Sequence, residues 1–268
     1  MKQLKLMVLT LTLLMGTMFT SCMDSGESGP QQWAGVVKVN DRMGYVTFTD
    51  AAGTELIPTN TIPVTLNARM AYIYCQVDEG QDLSTNPKSI KITLLADPTG
   101  IDATAITTPK VGESGDVTTN APVGSLSFAS GYSTVAPFQF SENTIVLPVL
   151  YRVKNVTTTE DIKNELAKHT FTLVCYTDDI KSGDTILKLY LRYKVEDEPA
   201  AIAERATRTS AFFKAYEISQ ILREYTLKSG QAKPAKITIV AQQNEYNNKL
   251  EDTSTIEKVY EIEYKTAE

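Results

Sequence analysis

The chain has 268 residues, 42% of them hydrophobic, a formal net charge of −6 and three cysteines. This length allows one large domain or two small ones. An acidic chain without a basic block makes a poor partner for DNA, RNA or anionic lipid, so no nucleic acid partner is expected.

Lys2 and Lys5 give a basic start, and Leu6 to Phe19 is apolar apart from Thr10, Thr12, Gly16 and Thr17. Small Thr20 and Ser21 then precede Cys22. This is the layout of a secretory signal over residues 1–21, and its apolar run is shorter than the roughly 20 residues that span a bilayer. Phe19-Thr20-Ser21-Cys22 resembles a bacterial lipobox. The resemblance implies a mature chain that begins at Cys22, with diacylglycerol on its sulfur as a thioether and a membrane as its first partner. Two or three acyl chains give a lasting anchor where one does not. The alternative is an ordinary signal peptide with an incidental Cys22; Phe19, where leucine is usual, is the departure from the lipobox. Removing residues 1–21 takes away Lys2 and Lys5 and no acid, which leaves 247 residues with a formal charge of −8. Residues 22–32 carry Asp24, Ser25, Gly26, Glu27, Ser28, Gly29 and Pro30, a composition that predicts a flexible lipidated tether.

From Trp33 the pattern changes to period two with turn residues between short apolar runs. Strands are predicted at Gly35–Asn40, Gly44–Asp50, Glu55–Ile57, Arg69–Asp78 and Ser89–Ala96, with Pro58 and Pro63 breaking the stretch between the third and fourth. In the fourth, Ile73, Cys75 and Val77 alternate with Tyr72, Tyr74 and Gln76. Five short strands in so few residues predict an antiparallel barrel over residues 33–100, because closure removes the exposed edges.

The Cys22 signal, the acidic tether and these strands together resemble the NigD-like lipoproteins of the Bacteroidetes. The residues that carry the likeness are Val36-Val37-Lys38-Val39, Gly44-Tyr45-Val46-Thr47-Phe48, Ala71-Tyr72-Ile73-Tyr74-Cys75 and Ile90-Lys91-Ile92, with Phe212 to Ser219 further on. The resemblance implies an all-β protein: a five-stranded OB-like barrel followed by a C-terminal β-sandwich with one or two short helices, held at the outer membrane of a Gram-negative bacterium, on its periplasmic side or exposed at the surface.

Ala96 to Gly100 reads as a turn and boundary, which assigns residues 101–268 to the sandwich. Strands are predicted at Gly124–Ser130, Thr144–Lys154, His169–Tyr176, Thr185–Val195, Ser210–Ile218, Lys236–Gln242 and Thr255–Lys265. Pro148 implies a bend or an edge in the second of these. Thr185–Val195 alternates Leu187, Leu189, Leu191, Tyr193 and Val195 with Lys188, Tyr190, Arg192 and Lys194, as a sheet wetted on one side requires. Helices are predicted over Glu160–Ala167, capped by Thr159 with Ile162 and Leu166 on its apolar face, over Ala200–Thr207, and after an N-cap at Ser219 with Gly230 as its stop.

Chemistry-bearing motifs are sparse. The single histidine, His169, opens a strand. No Cys/His pair has metal-ligand spacing, and no phosphate loop or dinucleotide fingerprint is present. Neither a metal nor another cofactor is expected. Asp178, Asp179 and Asp184 flank a turn without the spacing of a calcium loop. Cys75 and Cys175 are expected as buried free thiols in different domains, the alternative being a disulfide between them if both lie within reach in an oxidising compartment. Tyr72 and Tyr74 share one face of a barrel strand, which makes them the candidate ligand-binding residues for a glycan or protein partner, or a packing face against the second domain. The expected function is a non-enzymatic, envelope-anchored binding or interaction module. The alternatives are a fimbrial anchor or accessory subunit, and a glycan hydrolase whose carboxylates only the fold brings together.

Overall fold

The computed structural model describes residues 31–266 apart from 43–44, 61–65, 82, 84–86, 114, 131–132 and 206–207. Cys22 and the tether as far as residue 30 lie outside the described residues, as do Gly44 and Pro63. The chain forms two compact units. The first runs to Ala103 and takes in Ala129–Val135; the second is Thr104–Phe128 with Ala136–Glu268.

The first unit is built on β1 (Gln32–Arg42), β2 (Tyr45–Thr49), β3 (Glu55–Pro58), β4 (Met70–Val77), β5 (Ser89–Leu94) and β6 (Thr99–Ile101). The order β1-β2-β3-β5-β4 returns to β1 and closes a five-stranded barrel, with β6 added on β4. Only β3 and β5 run parallel. This is the OB-type order. Closure rests on the length of β1, whose outer half, Lys38–Arg42, pairs with β2 while Gln32–Lys38 pairs with β4. Val37, Phe48, Ala71, Ile73, Cys75 and Ile92 fill the interior. Gly35 is required in the inward row of β1, because a Cβ there would lie 2.6 Å from Cζ2 of Trp33. Thr47 is buried; its hydroxyl donates to Glu55 Oε1 at 2.9 Å, which satisfies it out of water.

The second unit contains β7 (Ala103–Ala105), β10 (Phe138–Ser141), β11 (Thr144–Val153), β12 (His169–Val174), β13 (Ile186–Val195), β14 (Arg208–Glu217), β15 (Lys236–Gln243) and β16 (Ile256–Glu263), while β8 (Phe128–Ser130) pairs with β9 (Ser133–Val135) in the segment that belongs mostly to the first unit. Two four-stranded sheets, β10-β11-β14-β7 and β12-β13-β15-β16, form a sandwich. Ile145, Leu147 and Val149 of β11 share one apolar core with Leu187, Leu189 and Leu191 of β13. Along β13 the inward side chains are buried and the outward ones half-buried or exposed, the alternation expected of it. β13 and β15 are parallel neighbours, because β14 passes through the opposite sheet between them.

Pro148 sits inside β11, opposite Phe213 of β14, where the pairing with β10 has already stopped at Val146. Its missing N–H therefore faces a local edge of the strand. Three short helices cross the ends of the sheets: α1 (Thr159–Ala167), α2 (Pro199–Ala203) and α3 (Ser219–Ser229). The cap of α1 is Thr158 rather than Thr159, and its hydroxyl accepts from the Asp161 N–H. Leu166, expected on the apolar face of α1, is exposed, and the side chain the helix buries is Glu165. The cap of α3 is Ile218, without a side-chain bond, so Ser219 is already helical; Gly230 stops the helix at φ 74°. Cys75 and Cys175 are both buried and free, each in the core of its own unit. Burial pushes both thiols up to about 12.

Candidate functional site

On the barrel, β4 turns Ala71, Ile73 and Cys75 inward and Tyr72 and Tyr74 outward. Tyr74 is 39% exposed and Tyr72 half-buried. Across the ladder Tyr74 faces Ala34 of β1, whose methyl group leaves the ring uncovered. The Tyr74 hydroxyl donates to Gln32 Oε1, and that bond fixes the ring's tilt. The two tyrosines proposed from the sequence therefore share one outer face, and Tyr74 presents open aromatic surface.

His169 lies elsewhere, in a buried polar cluster at one end of the sandwich. Its side chain is 1% exposed, with Nε2 3.4 Å from Glu165 Oε1 and Nδ1 2.6 Å from the Tyr193 hydroxyl. Arg205, fully buried, donates from Nε to Glu165 Oε1 at 2.7 Å and from Nη2 to Glu165 Oε2 at 3.2 Å and Asp197 Oδ2 at 2.8 Å. Lys154 and Lys168 reach the same Asp197 oxygen at 3.1 and 3.0 Å. Burial alone would raise the Glu165 carboxyl, but bonds from Arg205 and the Lys154 N–H hold it down at about 2. Burial lowers the basicity of His169 against the pull of Glu165, which favours the neutral ring. The cluster ties α1, β12, β13 and α2 together, and every carboxylate in it is occupied by a cation.

Two of the acids flanking the Asp178–Asp184 turn hold separate partners. Asp178 pairs with Lys228 at 2.9 Å, and Asp184 accepts from the Lys181 N–H at 2.7 Å. Among the described residues no group of three or more metal-ligating side chains gathers.

The outer face of the β12-β13-β15-β16 sheet carries an arrangement that the sequence reading did not single out. Residues two apart on a strand stand about 7 Å apart on one face, so Lys188 and Arg192 flank Tyr190. The Lys188 ammonium is 5.0 Å from the Tyr190 ring centre and the Arg192 guanidinium 5.1 Å. Tyr176 meets Tyr190 edge-on at 5.3 Å. Arg192 Nη2 donates to the Tyr176 hydroxyl at 3.0 Å, which donates to Asp116 Oδ1 at 2.8 Å. Beside this ladder opens a cleft of about 670 Å³, lined by Tyr190, Lys188, Asp179, Asp184, Thr238 and Val259 among others. The available signal was the wet-face alternation of β13, which placed Lys188, Tyr190 and Arg192 together. Asp179 and Asp184 stood out in the sequence only as acids flanking a turn, and nothing local pointed to Tyr176.

The crystal structure of a "Putative lipoprotein" from Bacteroides fragilis NCTC 9343 is 94% identical, with 89% of this chain and 100% of that chain covered and a TM-score of 0.81. This chain belongs to the family of that protein. A protein of unknown function, DUF1344, from Bacteroides vulgatus ATCC 8482 is 11% identical over 88% of this chain and 92% of its own, with a TM-score of 0.54. At that identity the family shares a fold with it and nothing more is implied. No protein-family model matches the chain, and no curated protein matches it.

Proposed function

We propose that this chain is a lipoprotein of the NigD-like type, anchored by lipid on Cys22 at the outer membrane of a Gram-negative bacterium, where it acts as a non-enzymatic binding module on the periplasmic side or at the surface. The anchoring is carried by the 94% identity to a protein whose name includes lipoprotein, together with the small residues directly ahead of Cys22. A five-stranded barrel followed by a two-sheet sandwich supports the NigD-like assignment, because that is the layout the resemblance implies. The recognition role is supported by the open face of Tyr72 and Tyr74, beside which Ala34 leaves room for a glycan or a protein segment. Two experiments test the reading. Expression in a Bacteroides host with an alkyne-tagged palmitate should label the chain, and Cys22→Ala should abolish the label and release the protein from outer-membrane fractions. Tyr72→Ala with Tyr74→Ala should lose the partner captured by the parent; unchanged capture would remove the barrel face from the account.

A further inference from the structure

We infer that the cleft beside the Tyr176–Tyr190 ladder, on the outer face of the sandwich, is a binding site for an uncharged oligosaccharide. This goes beyond the anchored recognition role and does not depend on the Tyr72–Tyr74 face. At about 670 Å³ the cleft falls within the roughly 300–1,000 Å³ typical of ligand sites.

The wall chemistry selects the ligand. A sugar offers hydroxyls that both donate and accept, and a C–H face that packs on apolar and aromatic surface. The cleft supplies each counterpart. Asp179 and Asp184 bring carboxylate acceptors, Lys188 an ammonium donor, and Thr185 and Thr238 hydroxyls that do either. Ile186 and Val259, 47% and 52% exposed, and the half-buried Tyr190 supply the surface to cover. Of the charged groups that line the cleft, the carboxylates of Asp179 and Asp184 outnumber the Lys188 ammonium, which disfavours an anion. No group of three or more metal-ligating side chains gathers among the described residues to hold a metal cation, so a neutral polyhydroxylated ligand fits best. The Lys188 ammonium stands over the Tyr190 ring, where a sugar ring would stack. Lys188 is exposed on a flexible stem, so it can swing from the ring to a sugar hydroxyl.

The site is also formed in advance. Tyr176 is held by Asp116 and Arg192. The Thr177 carbonyl accepts from Lys228 Nζ at 2.9 Å, the Asp184 carbonyl accepts from the Tyr225 hydroxyl, and Gly183 makes the turn between them at φ 89°. A rim fixed before binding loses little freedom when a ligand arrives.

The test is amide-resolved NMR of the full mature chain titrated with soluble neutral hexasaccharides of glucose, xylose, mannose and N-acetylglucosamine, and with oligogalacturonate as the anionic counterpart. At least one neutral sugar should saturate at up to millimolar concentration, with shifts centred on Ile186, Lys188, Tyr190, Thr238 and Val259. Tyr190→Ala should weaken it about tenfold or more, Asp179→Asn several-fold, and Tyr246→Ala, an exposed tyrosine outside the cleft, not at all. If Tyr190→Ala fails to fold, Asp179→Asn and Thr238→Val decide. The proposal is overturned if no neutral sugar moves these amides, if only oligogalacturonate does, or if they shift with protein concentration alone, which would give the face to a second copy of the chain.

Discussion

Replacing Arg205 with alanine should unsettle the sandwich more than any surface change. Arg205 donates four hydrogen bonds from full burial, two of them to Glu165, one to Asp197 and one from Nη1 to the Ala201 carbonyl at 3.0 Å. The substitution leaves the buried Glu165 carboxylate with the Lys154 N–H at 2.9 Å and the neutral His169 ring. Removing one partner of a buried ion pair lowers stability by about 3–5 kcal/mol. Linkage gives a similar figure. The Glu165 carboxyl falls from an ordinary 4.5 to about 2 in the fold, and at roughly 1.4 kcal/mol per unit this is about 3 kcal/mol. The folded value is depressed, so this stability is present above about pH 4.5 and is lost as the pH falls through about 2. Urea titrations followed by far-UV circular dichroism at pH 7 and pH 3 provide the assay. At pH 7 the midpoint should drop by on the order of 2 M, and the gap between parent and variant should narrow at pH 3. A drop worth less than about 1 kcal/mol at pH 7, or a gap that does not change with pH, would refute the reasoning.

Other outcomes follow from the same contacts. Gly35→Ala should lower barrel stability by about 1–3 kcal/mol, since its methyl group overlaps the Trp33 ring; fluorescence of Trp33, the one tryptophan in the chain, reads that unit. The thiols of Cys75 and Cys175 should resist a thiol reagent at pH 8 and react only after denaturation, and fast labelling of the folded chain would contradict their burial. The Arg152 guanidinium donates to the carbonyls of Asn244, Glu245 and Asn247. Arg152→Ala should therefore speed amide exchange across residues 244–249 with little change in α3.

Period-two segments were legible because their signal is local. β13 shows it best: five inward apolar side chains are enough to fix its face, its register and the wet side that became the cleft wall. The barrel strands were readable for the same reason, as was the outward pairing of Tyr72 and Tyr74. What escaped depends on partners distant in sequence. Leu166 looked like the apolar contact of α1, yet Glu165 is the residue the helix buries, because Arg205 arrives from 40 residues away to neutralise it. His169 stood at a strand end as its position suggested, but Tyr193 and Glu165 enclose it. Tyr176 reads as the last residue of a strand until Arg192 and Asp116 pin its hydroxyl. Ser219 had the chemistry of a cap, but the chain turns one residue earlier, at Ile218.

Mass spectrometry of the protein purified from a Bacteroides host tests the central claim most directly, since the proposed recognition role at a membrane rests on anchoring through Cys22. The account predicts that the first residue of the mature chain is Cys22, carrying a thioether-linked diacylglycerol. A mature chain that begins elsewhere, or one that begins at Cys22 with an unmodified thiol, would contradict it.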